Sequence, residues 1–414
     1  MVGTAGANLA ATVLGSVGGI LLARALGPTL RGELALVVTW PTFVGLVAML
    51  GLPQATCFMV SKSKDEARAI LGTVTAGALV VSAVIGLAGI LAAPFIANSA
   101  ELVRYLRILF ALLPVYTLPI CWIATLQAVR IQHWNAARVV QPAAYFLAIL
   151  ALAVTSRLTV GTAVAALVIS LALQLLIGAA LVWREIGFPA RPSLALWRPM
   201  FSYGLKSTTS LGPNLVNYRL DQLVLSLMVP AASLGNYAVA VSVSALATPI
   251  AFAFGYVAFP RIAAAKTRAE ARRVEKTAIL GSLAVATAVL VPVGILADWL
   301  IPFVFGEGFD RAVIALWLLI PGTIAFSANQ VAEDILRGQG RPLAPAIAET
   351  VGVGLTLVLL VSLVPLIGIY GAAITSAIVY GVVGVILVRM LKSRRSESFV
   401  TDDAVPLEVG AESP

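Results

Sequence analysis

Long apolar runs separated by short polar stretches make up nearly the whole chain. Charged and turn-forming residues divide it into twelve apolar segments, centred near residues 14, 46, 81, 116, 147, 172, 213, 247, 289, 324, 354 and 380. A helix of about 20 apolar residues is long enough to cross a bilayer, whereas a transmembrane β-barrel shows alternating segments of about ten residues. The pattern therefore predicts an all-α polytopic membrane protein with twelve transmembrane helices.

The composition supports a membrane location. The chain has 414 residues, of which 60% are apolar and 11% are charged, whereas soluble domains carry roughly 25% charged residues. The first apolar segment lacks the basic flank and the cleavage site of a signal peptide, so we interpret it as a span. Because this segment begins almost at residue 1, a missing N-terminal piece is an open question. Cys57 and Cys121 lie inside apolar segments without a metal or redox spacing, so we expect packing roles and no metal site.

The distribution of basic residues predicts the orientation. If both termini and the even-numbered loops lie on one side, that side holds 21 of the 28 lysines and arginines, in the ranges 62–68, 130–138, 184–206, 261–276, 337–341 and 389–395. The other side holds six, and Arg219 lies within the seventh segment. Basic residues concentrate on the cytoplasmic side of membrane proteins, so we expect both termini in the cytoplasm. The net charge of +9 then requires no nucleic-acid partner, because basic loops beside anionic lipid headgroups account for it.

Weak internal similarity divides the chain into two halves. The stretch 51–68 is echoed at 255–272 with an offset of 204, and Gly32 matches Gly235 with an offset of 203. Because each half then has six spans, both enter the membrane in the same direction, as parallel repeats around a central cavity. The predicted units are six-helix bundles at 1–190 and 191–395, followed by a disordered acidic cytoplasmic tail at 396–414.

The seventh segment is the most polar. Its side chains Ser207, Ser210, Asn214, Asn217 and Asp221 are spaced three or four residues apart, which places them on one helical face. A polar stripe of this kind faces a wet cavity or another helix rather than lipid. Arg219 and Asp221 are two residues apart and point in different directions, so each is as consistent with a substrate or coupling role as with a structural ion pair.

These residues belong to a larger candidate set. The cavity candidates for substrate binding are Arg219, Asp221, Asn217, Asn214, Lys206, Asn8 and Arg24. Prolines inside spans kink helices and can act as gates or hinges, and the candidates are Pro213, Pro114 and Pro321. Further polar residues in the apolar segments are Gln127, Gln141, Gln174, Asn329, Gln330, Glu333, Asp334 and Glu349. Of these, Glu333 and Asp334 are expected to face water or Arg337.

No catalytic constellation is evident, so no catalytic residue is assigned. The chain has no P-loop, and the single histidine, His133, is better explained as a hydrogen-bonded residue at the membrane interface. Arg104 and Arg107 share a helix face through their spacing of three. Such guanidinium groups either bind a phosphate or extend to the water at the interface.

Several stretches resemble one known family. LLARALGPTLRGELALVV at 21–38 resembles the first-loop signature of the polysaccharide transporter family, which includes the O-antigen flippases. This family sits in the multidrug/oligosaccharidyl-lipid/polysaccharide (MOP) exporter superfamily. YRLDQLVLSLMVPAASLGNYAVA at 218–240 is similar to the seventh-span signature, and 302–342 and 368–384 are similar to those of the last third. The resemblance covers nearly the whole chain.

The resemblance implies a MATE-like flippase for cell-surface polysaccharide biosynthesis. Such a protein moves an undecaprenyl-pyrophosphate-linked oligosaccharide to the external leaflet by alternating access. It would be a multi-pass protein of the bacterial cytoplasmic membrane, in contact with the lipid-linked glycan, membrane lipids and polysaccharide-assembly proteins. No cofactor is expected, and coupling to a Na⁺ or H⁺ gradient or to the membrane potential is left open. Arg219, Lys206 and Arg24 are the cations available to lower the cost of moving a pyrophosphate through hydrocarbon.

Three alternatives are open. A cation-coupled drug exporter of the same superfamily would favour acidic residues in the cavity of the first half, but the chain has none before Arg31 and only Glu33 beside it. A lipid II flippase usually has two more spans than the twelve predicted. A membrane scaffold or a glycan-polymerising enzyme would be a different class, and the short loops argue against both.

Overall fold

The structure, a computed structural model, describes residues 2–49, 51–265, 267–341 and 343–393. Regular structure in these ranges is helical throughout, with two single 3₁₀ turns at Lys64–Glu66 and Ala245–Ala247. The α-helices are α1 (Val2–Ala48), α2 (Leu52–Lys62), α3 (Ala67–Ile96), α4 (Ala100–Ala111), α5 (Leu113–Val129), α6 (Ile131–Val154), α7 (Val160–Ile186), α8 (Leu194–Met228), α9 (Ala231–Ser244), α10 (Thr248–Ala263), α11 (Arg268–Ile295), α12 (Ala297–Phe305), α13 (Asp310–Gly338), α14 (Leu343–Ile367) and α15 (Ile369–Ser393). The tail predicted at 396–414 lies outside the described residues, as do Lys266, Arg394 and Arg395 of the basic ranges.

The helices confirm an all-α polytopic membrane protein. Within the described ranges, nine helices are long and apolar enough to cross a membrane, or ten if the bent pair Ala231–Ala247 and Phe252–Ala263 forms one span. The helix α1 accounts for two predicted segments, because its apolar part, Ala10–Ala48, has 39 residues. At 1.5 Å per residue this is about 58 Å of helix, nearly twice the thickness of a hydrocarbon core. The seventh predicted segment is α8. The number of spans, twelve, stays a prediction.

A break at Gly27 divides α1. Gly27 has φ 70° and ψ 177°, outside helical geometry, and this conformation favours glycine because it has no Cβ. Pro28 then starts the second stretch, where its missing N–H costs no helical hydrogen bond. The Gly-Pro pair therefore lets the chain change direction between the first two predicted segments without a loop.

The two halves touch along α1 and α9 at the end predicted to be external. A Cβ added to Gly32 would overlap the carbonyl oxygen of Ala231, and one added to Gly235 would overlap that of Pro28. Pro28 and Ala231 are separated by the same offset, 203, as Gly32 and Gly235. Repeat-related segments therefore face each other at backbone contact, and we call these four residues the glycine seam.

The helix α8 bridges the two halves. Its first turns pack on the first half, where Met200 is buried in one core cluster with Met49 and Leu52, and Tyr203 stacks on Phe58 with ring centroids 4.3 Å apart. Its middle packs on α14 of the second half. A helix shared in this way can transmit motion between the halves. The bundle boundaries at 190 and 395 stay predictions.

Candidate functional site

The middle of α8 donates hydrogen bonds to two buried glutamates of the second half. Asn217 Nδ2 donates to Glu349 Oε2 of α14 at 3.0 Å. Asn214 Nδ2 lies 3.4 Å from Glu349 Oε1 and 3.3 Å from Glu333 Oε1 of α13. The hydroxyl of Thr356 donates to Asn217 Oδ1 at 2.7 Å, which fixes the amide so that its N–H groups face Glu349. The amide of Asn214 thus joins carboxyl groups of two different helices, α13 and α14.

Arg337 closes this cluster from the other side. Its Nη2 lies 2.6 Å from Glu333 Oε2, and its Nη1 lies 2.8 Å from Asp334 Oδ1. Glu333 and Glu349 are 0% and 1% exposed. The expectation that Glu333 and Asp334 face water or Arg337 is confirmed, because both pair with Arg337. Arg337 pairs with Glu333 and Asp334, while Asn214 lies near both Glu333 and Glu349. We call Glu333, Asp334, Glu349 and Arg337 the carboxyl cluster.

Small residues make room for these polar side chains. A Cβ on Gly352 would lie 3.1 Å from Asn217 Nδ2, and one on Gly255 would overlap the Asp334 carboxylate. A Cβ on Gly384 would lie 2.7 Å from the Oδ1 of Asn329. Each glycine therefore provides the space in which an amide or carboxyl group is buried between packed helices.

Asp221 and Arg219 face different neighbours, as their spacing predicts. Asp221 accepts a hydrogen bond from the hydroxyl of Tyr237 on α9 at 2.5 Å and one from the backbone N–H of Gln222 at 2.7 Å. Both Asp221 and Tyr237 are buried. Arg219 Nη1 lies 3.4 Å from Gln222 Oε1, and its side chain is exposed. Asp221 therefore joins α8 to α9, while Arg219 stays accessible.

The surroundings of Arg219 include the first half. Seven residues further along α8, Ser226 accepts a hydrogen bond from Trp40 Nε1 of α1 at 2.9 Å. Lys206 is also exposed on α8. The part of α8 around Arg219 is therefore the boundary between the halves, where a cavity between two bundles is expected.

The other candidates are dispersed. Arg24 donates from Nη1 to the carbonyl oxygen of Phe303 on α12 at 3.3 Å, and the side chain of Asn8 lies outside the described residues. Pro213 lies inside α8. Pro114 starts α5 after the bend at Leu112, and Pro321 lies inside α13. The structure thus brings Asn214 and Asn217 together with the carboxyl cluster, whereas Arg24 joins α1 to α12.

His133 has a structural partner. Its Nδ1 lies 2.9 Å from Glu185 Oε1, which also accepts from Arg130 Nη1 at 3.0 Å. These contacts join α6 and the preceding Arg130 to the end of α7. The contact places His133 beside a carboxylate, while a hydrogen-bonded state of its ring stays a prediction.

Sequence reasoning left three participants out of the candidate site. Glu333 and Glu349 were noted only as polar residues in apolar segments, although an acidic residue in such a segment is by itself a strong functional signal. Tyr237 is fully buried and reads in the sequence as an ordinary aromatic residue. Only the spatial approach of α9 to α8 shows that it pairs with Asp221.

The fold is shared with transporters of the MOP superfamily. An inward-facing multidrug resistance MATE family transporter of that superfamily aligns with a TM-score of 0.77 and 16% sequence identity, over 93% of this chain and 96% of that chain. The lipid II flippase MurJ, in an inward closed conformation, aligns with a TM-score of 0.76 and 13% identity, over 95% of this chain and 88% of that chain. These likenesses confirm the expected MATE-like fold.

The chain belongs to the family described as polysaccharide biosynthesis protein, whose profile matches residues 3–266. A probable low-salt glycan biosynthesis flippase, Agl15 of Haloferax volcanii, is 27% identical over 214 residues, which are 50% of this chain and 45% of that protein. An uncharacterized membrane protein of Methanocaldococcus jannaschii is 26% identical over 213 residues, 50% of this chain and 42% of that protein. The matched part spans less than half the length of each relative. The family match over residues 3–266 confirms the family predicted from the sequence.

Proposed function

We propose that this protein moves a polyprenyl-pyrophosphate-linked oligosaccharide across the membrane by alternating access, and that it has no enzymatic activity of its own. Membership of the polysaccharide biosynthesis family supports the glycan substrate, and the name of the flippase from Haloferax volcanii supports the reaction. The observation that carries the proposal is Arg219, an exposed guanidinium in the last third of α8, seven residues before the contact of Ser226 with Trp40 of the first half.

The chemistry of the substrate explains why a cation is needed there. A pyrophosphate and a sugar chain cannot cross hydrocarbon unaided, because burying unpaired charge and polar groups is expensive. A guanidinium that faces the boundary between two bundles offers a bidentate partner to phosphate oxygens. The polyprenyl tail stays in the lipid, so the protein has to shield only the headgroup.

The test replaces Arg219 and measures delivery of lipid-linked glycan to the outer leaflet. We expect Arg219→Gln to reduce delivery about tenfold or more, as loss of a charge-assisted contact does, and Arg219→Lys to retain part of it. Arg157→Gln, at an exposed arginine between α6 and α7, is the matched control. Normal delivery by Arg219→Gln at equal abundance would remove the glycan-flipping role from this residue.

We also propose that the carboxyl cluster couples transport to a proton gradient. Arg337 is already paired with Glu333 and Asp334, so it does not also neutralise the buried Glu349, and unneutralised charge in a membrane interior is costly. A proton shared by Glu333 and Glu349 would remove one negative charge, and its release would change the hydrogen bonds that hold α8. The carboxyl cluster also favours the second candidate function, a cation-coupled small-molecule exporter. The Arg219 experiment separates the two functions, because it measures transport of the lipid-linked glycan, which only the flippase carries.

A further inference from the structure

A cleft lies between α3 and α4, at the end of the first half that is predicted to be external. Its volume is about 610 Å³, and it is lined by Ile90, Pro94, Ala100, Val103, Arg104, Arg107, Ile108 and Ala111. Six of these side chains are apolar, and the two polar ones are both arginines. The cleft is separate from the carboxyl cluster and from Arg219, which lie on α8, α13 and α14.

The apolar wall of the cleft continues a lipid-facing surface. On α3, beside the lining residues, Leu91 is 66% exposed and Phe95 is 87% exposed. Ile108 of the lining is itself exposed. Large apolar side chains so exposed on a membrane helix are covered by hydrocarbon, so the cleft opens towards lipid chains.

The two arginines lie in the first two turns of α4, near the end that is predicted to be external. Both are exposed and share one face of α4, about 6 and 10 Å along the axis from its first residue, Ala100. Arg104 lies over the ring of Tyr105 at 5.4 Å, and the hydroxyl of Tyr105 donates to Glu101 at 2.6 Å. Glu101, the acidic residue on this helix, is thus engaged with Tyr105 and is not part of the lining.

We propose that the cleft binds an anionic phospholipid of the surrounding leaflet, with its phosphate between Arg104 and Arg107 and its first methylenes against Ile90, Pro94 and Ile108. Charge complementarity identifies the headgroup, since guanidinium groups pair with phosphate oxygens, and the apolar wall identifies a ligand with hydrocarbon chains. Extension of the arginines to water explains their exposure but not the apolar cleft beside them. The site would keep one lipid at the edge of the first half.

Native mass spectrometry of the purified protein tests the site. Phosphatidylglycerol and phosphatidylcholine with identical acyl chains are added in turn after delipidation, and the retained lipid is counted. We expect preferential retention of phosphatidylglycerol, reduced on the order of tenfold in the double variant Arg104→Gln/Arg107→Gln. The control is Arg311→Gln, which removes an exposed arginine from the start of α13. Equal retention by the double variant and the parent protein would overturn the proposal.

A second variant tests the cleft apart from its charge. Ala111 is exposed in the lining, so Ala111→Phe fills space without disturbing the core and leaves both arginines in place. We expect Ala111→Phe to lower phosphatidylglycerol retention as well, with unchanged thermal unfolding. Unchanged retention would mean that the two arginines bind the lipid without the cleft, and it would refute the proposed role of the cleft. Undecaprenyl phosphate is added as a competitor. If it displaces phosphatidylglycerol at a lower concentration, the occupant is a polyprenyl phosphate and not a bilayer phospholipid.

Discussion

At the residue scale, Glu349 is a buried carboxyl group whose two oxygens both face amides of α8. Asn217 donates to one of its oxygens and Asn214 lies near the other, and Thr356 sets the orientation of Asn217. A carboxyl group held by donors whose own direction is fixed is sensitive to any change in its charge. This arrangement makes Glu349 the residue at which coupling is best tested.

We expect Glu349→Gln to uncouple transport from the proton gradient. Glutamine keeps the size of glutamate, but its amide does not titrate, and it replaces one of the two oxygens that face Asn217 and Asn214 by an N–H donor. An unsatisfied buried donor costs roughly 1–3 kcal/mol, so the protein should still fold, with a moderate loss of thermal stability. Proteoliposomes with an imposed pH gradient measure substrate uptake, and the parent protein should respond to the gradient while the variant should not.

The control is Asp298→Asn, at an exposed carboxylate of α12. A parallel arm imposes a Na⁺ gradient at constant pH, and a response only in this arm would replace the proton by Na⁺. If Glu349→Gln responds to the pH gradient as strongly as the parent protein, the proposed role of the carboxyl cluster is contradicted.

At the element scale, α8 shows which features helical periodicity in the sequence can predict and which it cannot. The spacing of Asn214 and Asn217 predicts one face, and the structure places both amides on the same glutamate, while Asp221 and Arg219 diverge as two-residue spacing requires. The partners come from α13, α14 and α9, more than a hundred residues away for the glutamates. Helical periodicity carries no information on which distant helix approaches, so they could not be predicted.

The glycine seam is a contact that any added side chain disturbs. We expect Gly32→Ala to force α1 and α9 apart, because its Cβ overlaps the carbonyl oxygen of Ala231. Overpacking of this kind costs about 1–3 kcal/mol, enough to shift a balance between two conformations about tenfold. Distances between spin labels on the two halves, at the end predicted to be external, should lengthen. Gly19→Ala in the same helix is the control, because its Cβ meets no atom within 4 Å, and equal distances in both variants would contradict a closing role for the seam.

At the scale of the whole molecule, the internal repeat underlies both the arrangement in two halves and the glycine seam between them. Gly32 and Gly235, which the sequence relates by an offset of 203, meet across the halves, where each also approaches the carbonyl oxygen of the residue at the other end of the seam, Ala231 or Pro28. A symmetric contact between repeats lets two bundles close on each other with equivalent surfaces. The bacterial membrane and the orientation of the termini stay predictions.

Orientation follows from the basic loops and is open to direct measurement. With Cys57 and Cys121 replaced by alanine, a single cysteine at Lys64 or at Arg268, both exposed, should react with an impermeant maleimide only from the cytoplasm. These positions lie in repeat-related loops, and parallel repeats require them on one side because each half has an even number of spans. A cysteine at Arg157 should react only from outside. If positions 64 and 268 react from opposite sides, the chain crosses the membrane an odd number of times between them, and the two parallel six-helix halves are refuted. If both react only from outside, the repeat is kept and the orientation is the reverse of the one that the positive-inside rule predicts.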